Sequence, residues 1–184
     1  MSKKFFVKET DFKDLFIIQR TRFFDNRGSL DKLYSSDVFD FLQMNIDDAY
    51  VSSSMKNVVR GLHHQVRPFG QKKLVQCLSG EFFDLALDLR KESNTFGELF
   101  IYKLSANDNT SLFIPSGFSH GIVSVADNTE CLTFCSGAYL PQYEEGFHLR
   151  GWGDRLNAMG IRLSELEFSE KDNSLPIFDS GKEI

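Results

Sequence analysis

The middle of this chain, from about residue 57 to residue 139, is a succession of short segments rich in β-forming residues, each followed by a turn signal. The clearest of them, "GEFFDLALDLR", places Asp84 and Asp88 on one face of a strand and Leu85 and Leu87 on the other. Successive side chains of a strand point to opposite faces. We therefore predict a strand with one face in the core and a polar face toward a pocket or solvent.

Many short strands with regular turns are typical of a sandwich or a closed barrel, and a jelly roll fits this pattern best. Helical signals only flank the strand region, in "SSDVFDFLQ" before it and in the polar C-terminal third. The chain of 184 residues contains no internal repeat and no linker. We therefore predict one all-β domain over residues 1–184, a jelly-roll barrel with short flanking helices.

Charge and cysteine content exclude several classes of protein. A net charge of −5 gives no electrostatic reason to bind nucleic acid or an anionic membrane surface. The first 18 residues are interrupted by charges and resemble neither a secretion signal nor a membrane span. Cys131 and Cys135 would lie roughly 13 Å apart along a strand, too far for a disulfide. These features predict a cytoplasmic protein with neither a nucleic-acid nor a membrane partner.

The segment "RGLHHQ" holds His63 and His64 side by side, two of the four histidines. On a regular strand, neighbouring side chains face opposite ways, so the two rings cannot bind the same metal ion. Metal-binding barrels of this kind need ligands that converge on one face, and the strand that follows offers Lys72 and Lys73 instead. We therefore predict no metal site, and we predict that at most one of these two histidines faces a pocket.

Several motifs, in this order, carry a resemblance to a known family: "DNRG", "NVVRGLHHQ", "QKKLVQCLSGEFFDLALDLRKESNTFGE", "LSAND", "LFIPSGFSHG" and "LSELEFSEKD". They resemble the dTDP-4-keto-6-deoxyglucose 3,5-epimerases of the deoxysugar pathways, over nearly the whole chain. The resemblance implies a cupin-type jelly roll and a homodimer that exchanges N-terminal strands. It also implies that no metal or organic cofactor is needed.

The chemistry implied by the resemblance begins with a ketone that acidifies the neighbouring C–H bonds of a nucleotide-linked sugar. His63 matches the family's base, and imidazole is suited to accept a proton at neutral pH. Asp172 matches, with a short offset, the carboxylate that orients this ring. Lys73 matches the lysine near the keto oxygen, where a cation would stabilise the enolate.

The resemblance also implies residues that bind the substrate. Arg60 and Arg27 match positions that hold the diphosphate, for which guanidinium groups are well suited. The sugar and its surroundings are assigned to His120, Gln65, Asp48 and Thr133. His148 belongs to no motif, and we expect it at the surface.

The chain departs from the family pattern at Thr133, where the family carries a tyrosine thought to return a proton opposite the histidine. Tyr139 also matches a family tyrosine and is the candidate replacement acid, with water as the alternative. Asp48 and Tyr50 occupy positions where the family usually carries an amide pair, and Lys32 replaces an acidic residue. These changes predict inversion at one carbon, carbon 3 being favoured over carbon 5 or both, and leave dTDP and CDP open as the nucleotide.

Two other functions are weighed against epimerisation in the synthesis of a surface-polysaccharide sugar. A ketoisomerase that moves the carbonyl between carbons 3 and 4 would use a related barrel and a histidine base. A non-catalytic homologue would keep the sugar-nucleotide pocket and lose turnover. The motifs around His63 and His120 favour the epimerase, and the combination of His63, Lys73 and Asp172 argues against a mere binding protein.

Overall fold

The computed structural model describes residues 5–181, and these form thirteen strands and three short helices. The strands are β1 (Phe5–Glu9), β2 (Phe16–Arg20), β3 (Arg22–Asp25), β4 (Gly28–Asp31), β5 (Asp48–Ser54), β6 (Val59–Gln65), β7 (Lys73–Ser79), β8 (Glu81–Asp88), β9 (Leu99–Ser105), β10 (Thr110–Ile114), β11 (Phe118–Ser124), β12 (Thr129–Cys135) and β13 (Glu144–Gly146). The helices are α1 (Ser36–Phe41), α2 (Gly153–Ala158) and α3 (Glu170–Asn173), and single 3-10 turns cover Pro141–Tyr143, Leu149–Trp152 and Leu163–Glu165.

Two antiparallel sheets face each other to form the barrel. One sheet has the strand order β1-β2-β10-β7-β12-β5 and the other has the order β13-β6-β11-β8-β9. Most neighbouring strands in the two sheets are distant in sequence, as in a jelly roll. The predicted all-β fold with short flanking helices is confirmed, and the helix signal after residue 35 corresponds to α1.

The prediction for β8 was incomplete, because this strand is buried on both faces. Phe82 and Ala86 pack into the core between the sheets, as expected for one face of a barrel strand. On the other face, Leu85 and Leu87 pack against the C-terminal third, including Leu149. The C-terminal third therefore covers the outside of the five-stranded sheet, which alternation along β8 alone could not show.

An irregularity in β6 brings functional residues to one side of the sheet. Opposite β11, His63 pairs with His120 and Arg60 pairs with Ile122, so β6 advances three residues where β11 advances two. The extra residue is a β-bulge. Gly61 lies within the bulge and has a backbone φ of +104°, a conformation that residues other than glycine rarely adopt.

The strands β3 and β4 form a separate two-stranded hairpin, and neither strand pairs with a strand of the two large sheets. Three of its large apolar side chains, Phe23, Phe24 and Leu30, are exposed. Within residues 5–181, no helix is both long and apolar enough to cross a membrane.

Candidate active site

A cavity of about 730 Å³ lies between the two sheets. One wall comes from β5, β7 and β12, the opposite wall from β6 and β11, and the mouth from the C-terminal segment around α3. Eight of the ten predicted site residues line this cavity: Asp48, Arg60, His63, Lys73, His120, Thr133, Tyr139 and Asp172.

His63 and Asp172 form an imidazole–carboxylate pair at the cavity wall, although they are 109 residues apart. Nε2 of His63 lies 2.7 Å from Oδ1 of Asp172. Because the carboxylate accepts the proton of Nε2, Nδ1 is the nitrogen with a free lone pair. Ser169 caps α3 by accepting the backbone N–H of Asp172, which fixes the carboxylate at the helix start.

The environment of Asp172 favours its charged form. Burial by itself raises the pKa of this carboxyl, but hydrogen bonds to it from His63, from the backbone N–H of Gly61 and from the Ser169 side chain outweigh burial and hold the pKa below its usual value. A carboxylate that stays ionised can stabilise the imidazolium that forms when His63 accepts a proton.

Lys73 reaches the cavity from the sheet opposite His63. It is the first residue of β7, between Ile114 of β10 and Cys135 of β12. Burial lowers the pKa of its ammonium group, and nearby carboxylates, including Glu144 and Asp84, partly oppose that effect. A desolvated ammonium group gains more from a developing oxyanion than one in water, so this position suits enolate stabilisation.

A second histidine–carboxylate pair lies beside the first. Nε2 of His120 is 2.7 Å from Oδ1 of Asp84, and both side chains are buried. Burial raises the pKa of Asp84 and lowers the pKa of His120. The other oxygen of Asp84 has no hydrogen-bond partner among residues 5–181. His120 lies opposite His63 across β6 and β11, so this pair completes the polar wall around the base.

Cationic groups also lie on the cavity rim. Arg60 is anchored by donating hydrogen bonds to Ser54 Oγ at 3.0 Å and to the carbonyl oxygen of Ser53 at 2.7 Å. Lys171, at the start of the C-terminal helix, forms an ion pair with Glu144. The cavity lining carries charges of both signs, since it also contains Glu144 and Glu167, and Arg60 is the cation here that is held by neutral groups and can receive an anionic ligand.

Two predicted residues lie elsewhere. Arg27 is at the tip of the β3–β4 hairpin, 85% exposed, and its guanidinium group pairs with Asp25. Gln65 is buried, and its side-chain amide binds the backbone of Phe69, Ala138 and Leu140. Gln65 thus ties the loop after β12 to β6, which is a positioning contact in this chain.

The remaining two histidines pack against aromatic rings, His64 half-buried and His148 buried. His64 stacks on Phe147 and contacts Ser119 on the side of β6 away from the cavity, and burial lowers its pKa to about 4. The expectation for His148 was wrong, because its ring is 4% exposed and stacks on Phe168. His148 is buried because other residues of the C-terminal third, including Phe168, pack over it.

Sequence reasoning gave no role to Asp84, and it placed Tyr50 near the sugar without assigning it any chemistry. Asp84 had a usable signal, since a carboxylate between Phe82 and Ala86 on one strand face is costly to bury without a purpose. Tyr50 lines the cavity from β5 and lies directly opposite Thr133 of β12. This pairing depends on the register between β5 and β12, which the sequence does not show.

No group of three or more His, Cys, Asp or Glu side chains in residues 5–181 is arranged to hold a metal ion. The three cysteines are all buried and free, and two of them, Cys131 and Cys135, line the cavity.

A jelly roll with a histidine–carboxylate pair on one wall and an ammonium group on the other defines a class of enzyme that removes a proton beside a carbonyl group. Comparison with known proteins gives the particular family. The sequence profile described as dTDP-4-dehydrorhamnose 3,5-epimerase matches residues 9–180.

Individual relatives agree with this match. The dTDP-4-dehydrorhamnose 3,5-epimerase of Salmonella typhimurium is 38% identical over 179 residues, which is 95% of this chain and 96% of the relative. The crystal structure of the Elizabethkingia anophelis enzyme of that name superposes with a TM-score of 0.85 at 31% identity, covering 95% of this chain and 97% of that one. A Legionella pneumophila structure, in complex with dTDP-4-keto-L-rhamnose, has a TM-score of 0.83 at 27% identity, covering 96% and 100%.

The chain belongs to the dTDP-4-dehydrorhamnose 3,5-epimerase family, a family of isomerases of deoxysugar biosynthesis. The prediction of a nucleotide-sugar epimerase is confirmed at this level. The ketoisomerase and the non-catalytic homologue are not favoured, because the matching relatives are described as epimerases.

Proposed function

We propose that this chain epimerises a nucleotide-linked 4-keto-6-deoxyhexose at one carbon next to the ketone, with carbon 3 favoured. The observation that carries the proposal is the 2.7 Å contact between His63 and Asp172 on a cavity wall opposite Lys73. His63 accepts the proton from carbon, Lys73 stabilises the enolate oxygen, and a proton returns on the opposite face of the sugar.

Inversion at a single carbon is supported by the side chain at position 133. Thr133 is buried in the cavity wall, and its hydroxyl is a far weaker acid than a phenol. Inversion at two centres needs a proton returned on cue at each of them. The loss of a phenol at this position therefore removes one route for that return. The product is proposed to supply a surface polysaccharide such as an O-antigen.

Deuterium incorporation from solvent tests this function and its substrate together. The full chain is incubated in deuterated water with dTDP- and CDP-linked 4-keto-6-deoxyhexoses, and label and configuration at carbons 3 and 5 are read by NMR. We expect label and inversion at carbon 3 with one of the two nucleotides. Label at both carbons would refute the single-carbon proposal, and label at neither with any substrate would refute the epimerase.

The exposed hairpin supports a homodimer in which N-terminal elements cross to the partner. Arg27 points away from its own cavity at the tip of β3–β4, and the same hairpin exposes Phe23, Phe24 and Leu30 to solvent. Exposed apolar groups of this size mark interaction surfaces. We propose that the hairpin packs on a second copy and that Arg27 binds the diphosphate in the partner's cavity.

Hybrid dimers test the position of Arg27. The variants Arg27→Ala and His63→Gln are each expected to be weak or inactive, the first through a KM raised about ten- to a hundredfold by loss of a charge-assisted hydrogen bond. Mixing the two should restore one complete cavity per hybrid dimer and recover activity. No recovery would contradict binding in trans. Arg162→Ala, at an exposed ion pair in the C-terminal third, is the control and should leave KM unchanged.

A further inference from the structure

We propose that the Tyr50 phenol is the acid that returns the proton on the face of the sugar opposite His63, an inference that rests on the function proposed above. Inversion requires a donor on the opposite side of the substrate from the base. His63 belongs to β6 of the five-stranded sheet, whereas Tyr50 belongs to β5 of the six-stranded sheet. Both side chains line the cavity between those sheets, so they lie on opposite walls.

The register of β5 against β12 places the phenol beside Thr133. The two residues are direct cross-strand partners, and the Thr133 hydroxyl is close enough to the phenol to lower its pKa. Neighbouring strands are about 4.8 Å apart. The Tyr50 side chain is long enough to span this distance. Its hydroxyl can therefore lie where a longer side chain at position 133 of β12 would place one. The short Thr133 leaves room for that placement.

Other donors on the same wall are less suitable. Ser52 and Thr133 carry aliphatic hydroxyls, which are much weaker acids than phenols. Burial raises the pKa of the Cys131 and Cys135 thiols, the other protic groups of β12 in the cavity. Tyr139 and Tyr50 are similarly exposed, 51% and 45%, but Tyr139 lies after β12 near Lys171, at the cavity mouth, whereas Tyr50 lies on strand β5. The phenol on a strand of the wall itself is the better positioned.

The surroundings of Tyr50 suit a group that holds its proton until the enolate forms. The side chain of Tyr50 is 45% exposed, and its partial burial and the neighbouring Cys135 raise the pKa of the phenol, so it stays protonated at neutral pH. The nearby Thr133 hydroxyl acts in the opposite direction, because a hydroxyl that donates to the phenolate oxygen stabilises it after the proton has left. Thr133 is thus a positioning residue for Tyr50.

The step is balanced without any further reagent. Nδ1 of His63 takes the proton from the carbon, and the electron pair of the C–H bond moves through carbon to the carbonyl oxygen near Lys73. The carbonyl re-forms as the opposite face of the same carbon takes the proton of the Tyr50 hydroxyl. Water then protonates the phenolate and the imidazolium releases its proton to solvent, which returns the enzyme to its starting state.

Tyr50→Phe separates proton removal from proton return. The variant loses one oxygen atom and keeps the ring, and its fold is checked by circular dichroism and thermal unfolding. In deuterated water we expect inversion to fall by about 10²–10⁴-fold, the usual loss for a general acid. Deuterium should still enter with retained configuration, because His63 can return a deuteron to the face from which it took the proton. Tyr102→Phe, on β9 outside the cavity, is the matched control and should keep inversion. Tyr139→Phe is measured in parallel, because Tyr139 is the alternative donor.

A second variant moves the phenol to the neighbouring strand. Tyr50→Thr alone should behave like Tyr50→Phe, whereas Tyr50→Thr combined with Thr133→Tyr exchanges the two side chains and should recover inversion at least in part. A Tyr50→Phe chain that inverts at the unmodified rate would overturn the proposal, and so would an exclusive loss in Tyr139→Phe. If the unmodified chain neither inverts nor exchanges any substrate, the proposed function itself fails.

Discussion

Replacing His63 with glutamine is expected to lower kcat by about 10²–10⁴-fold, the contribution of a positioned general base. Glutamine is similar in size and polarity, but it cannot accept a proton near neutral pH. Because the base acts in the first chemical step, deuterium incorporation into the substrate should fall together with inversion. This joint loss differs from the result expected for the acid, where incorporation continues.

The neighbouring histidine supplies a matched control. His64→Gln changes the same type of side chain one position further along β6, on the face that stacks against Phe147. Its ring does not line the cavity, so kcat should stay close to that of the unmodified chain even if stability falls. Equal losses of activity in His63→Gln and His64→Gln would show that the barrel, and not the base, had been damaged.

Lys73→Met should lower kcat by about 10²–10³-fold, the effect of removing one preorganised group that stabilises an oxyanion. Methionine fills similar space without charge, and the enolate oxygen then develops its charge in a cavity that has lost this cation. Lys72→Met is the control. The Nζ of Lys72 donates to the carbonyl oxygens of Leu42 and Gln43, outside the cavity, and its loss should leave kcat nearly unchanged.

Stability should move in the other direction for Lys73→Met. Burial lowers the pKa of Lys73 in the folded chain, so the charged form costs free energy of folding at neutral pH. That cost is fully present below the folded pKa and disappears as pH rises toward the ordinary lysine value, about 10.4. The free energy of unfolding of Lys73→Met at pH 7 should equal or exceed that of the unmodified chain, and the difference should shrink at high pH. A variant that lost both activity and stability would indicate a structural lysine.

The strand pattern was readable from sequence because alternation is a local property. In β8, the positions of Asp84 and Leu85 on opposite faces follow from the two-residue period of any strand. That both faces are buried does not follow, because the cover over Leu85 comes from residues more than 60 positions later, around Leu149 and Leu156. Local periodicity shows which side chains share a face, and only packing shows what lies against that face.

For the site, the sequence likewise identified candidate residues but not the direction in which their side chains face. Motifs placed His63, Lys73 and Asp172 by resemblance, and the structure brings all three to one cavity. Strict alternation would have sent Arg60 and His63 to opposite faces, yet the bulge at Gly61 directs both toward the cavity. A single extra residue in a strand changes the facing of every side chain beyond it, and nothing in a sequence read alone reports the register of the partner strand.

Sequence by itself determined the all-β class, the absence of a charge pattern for nucleic acid and, through the resemblance to a family, which histidine and lysine are the candidates for its chemistry. These follow from side-chain type and spacing along the chain. Tertiary structure alone decided that Asp84 supports His120 and that a phenol on β5 lies beside Thr133 on β12. Those contacts depend on which strands become neighbours and in which register, since hydrogen bonds between distant segments are fixed only when the whole barrel closes.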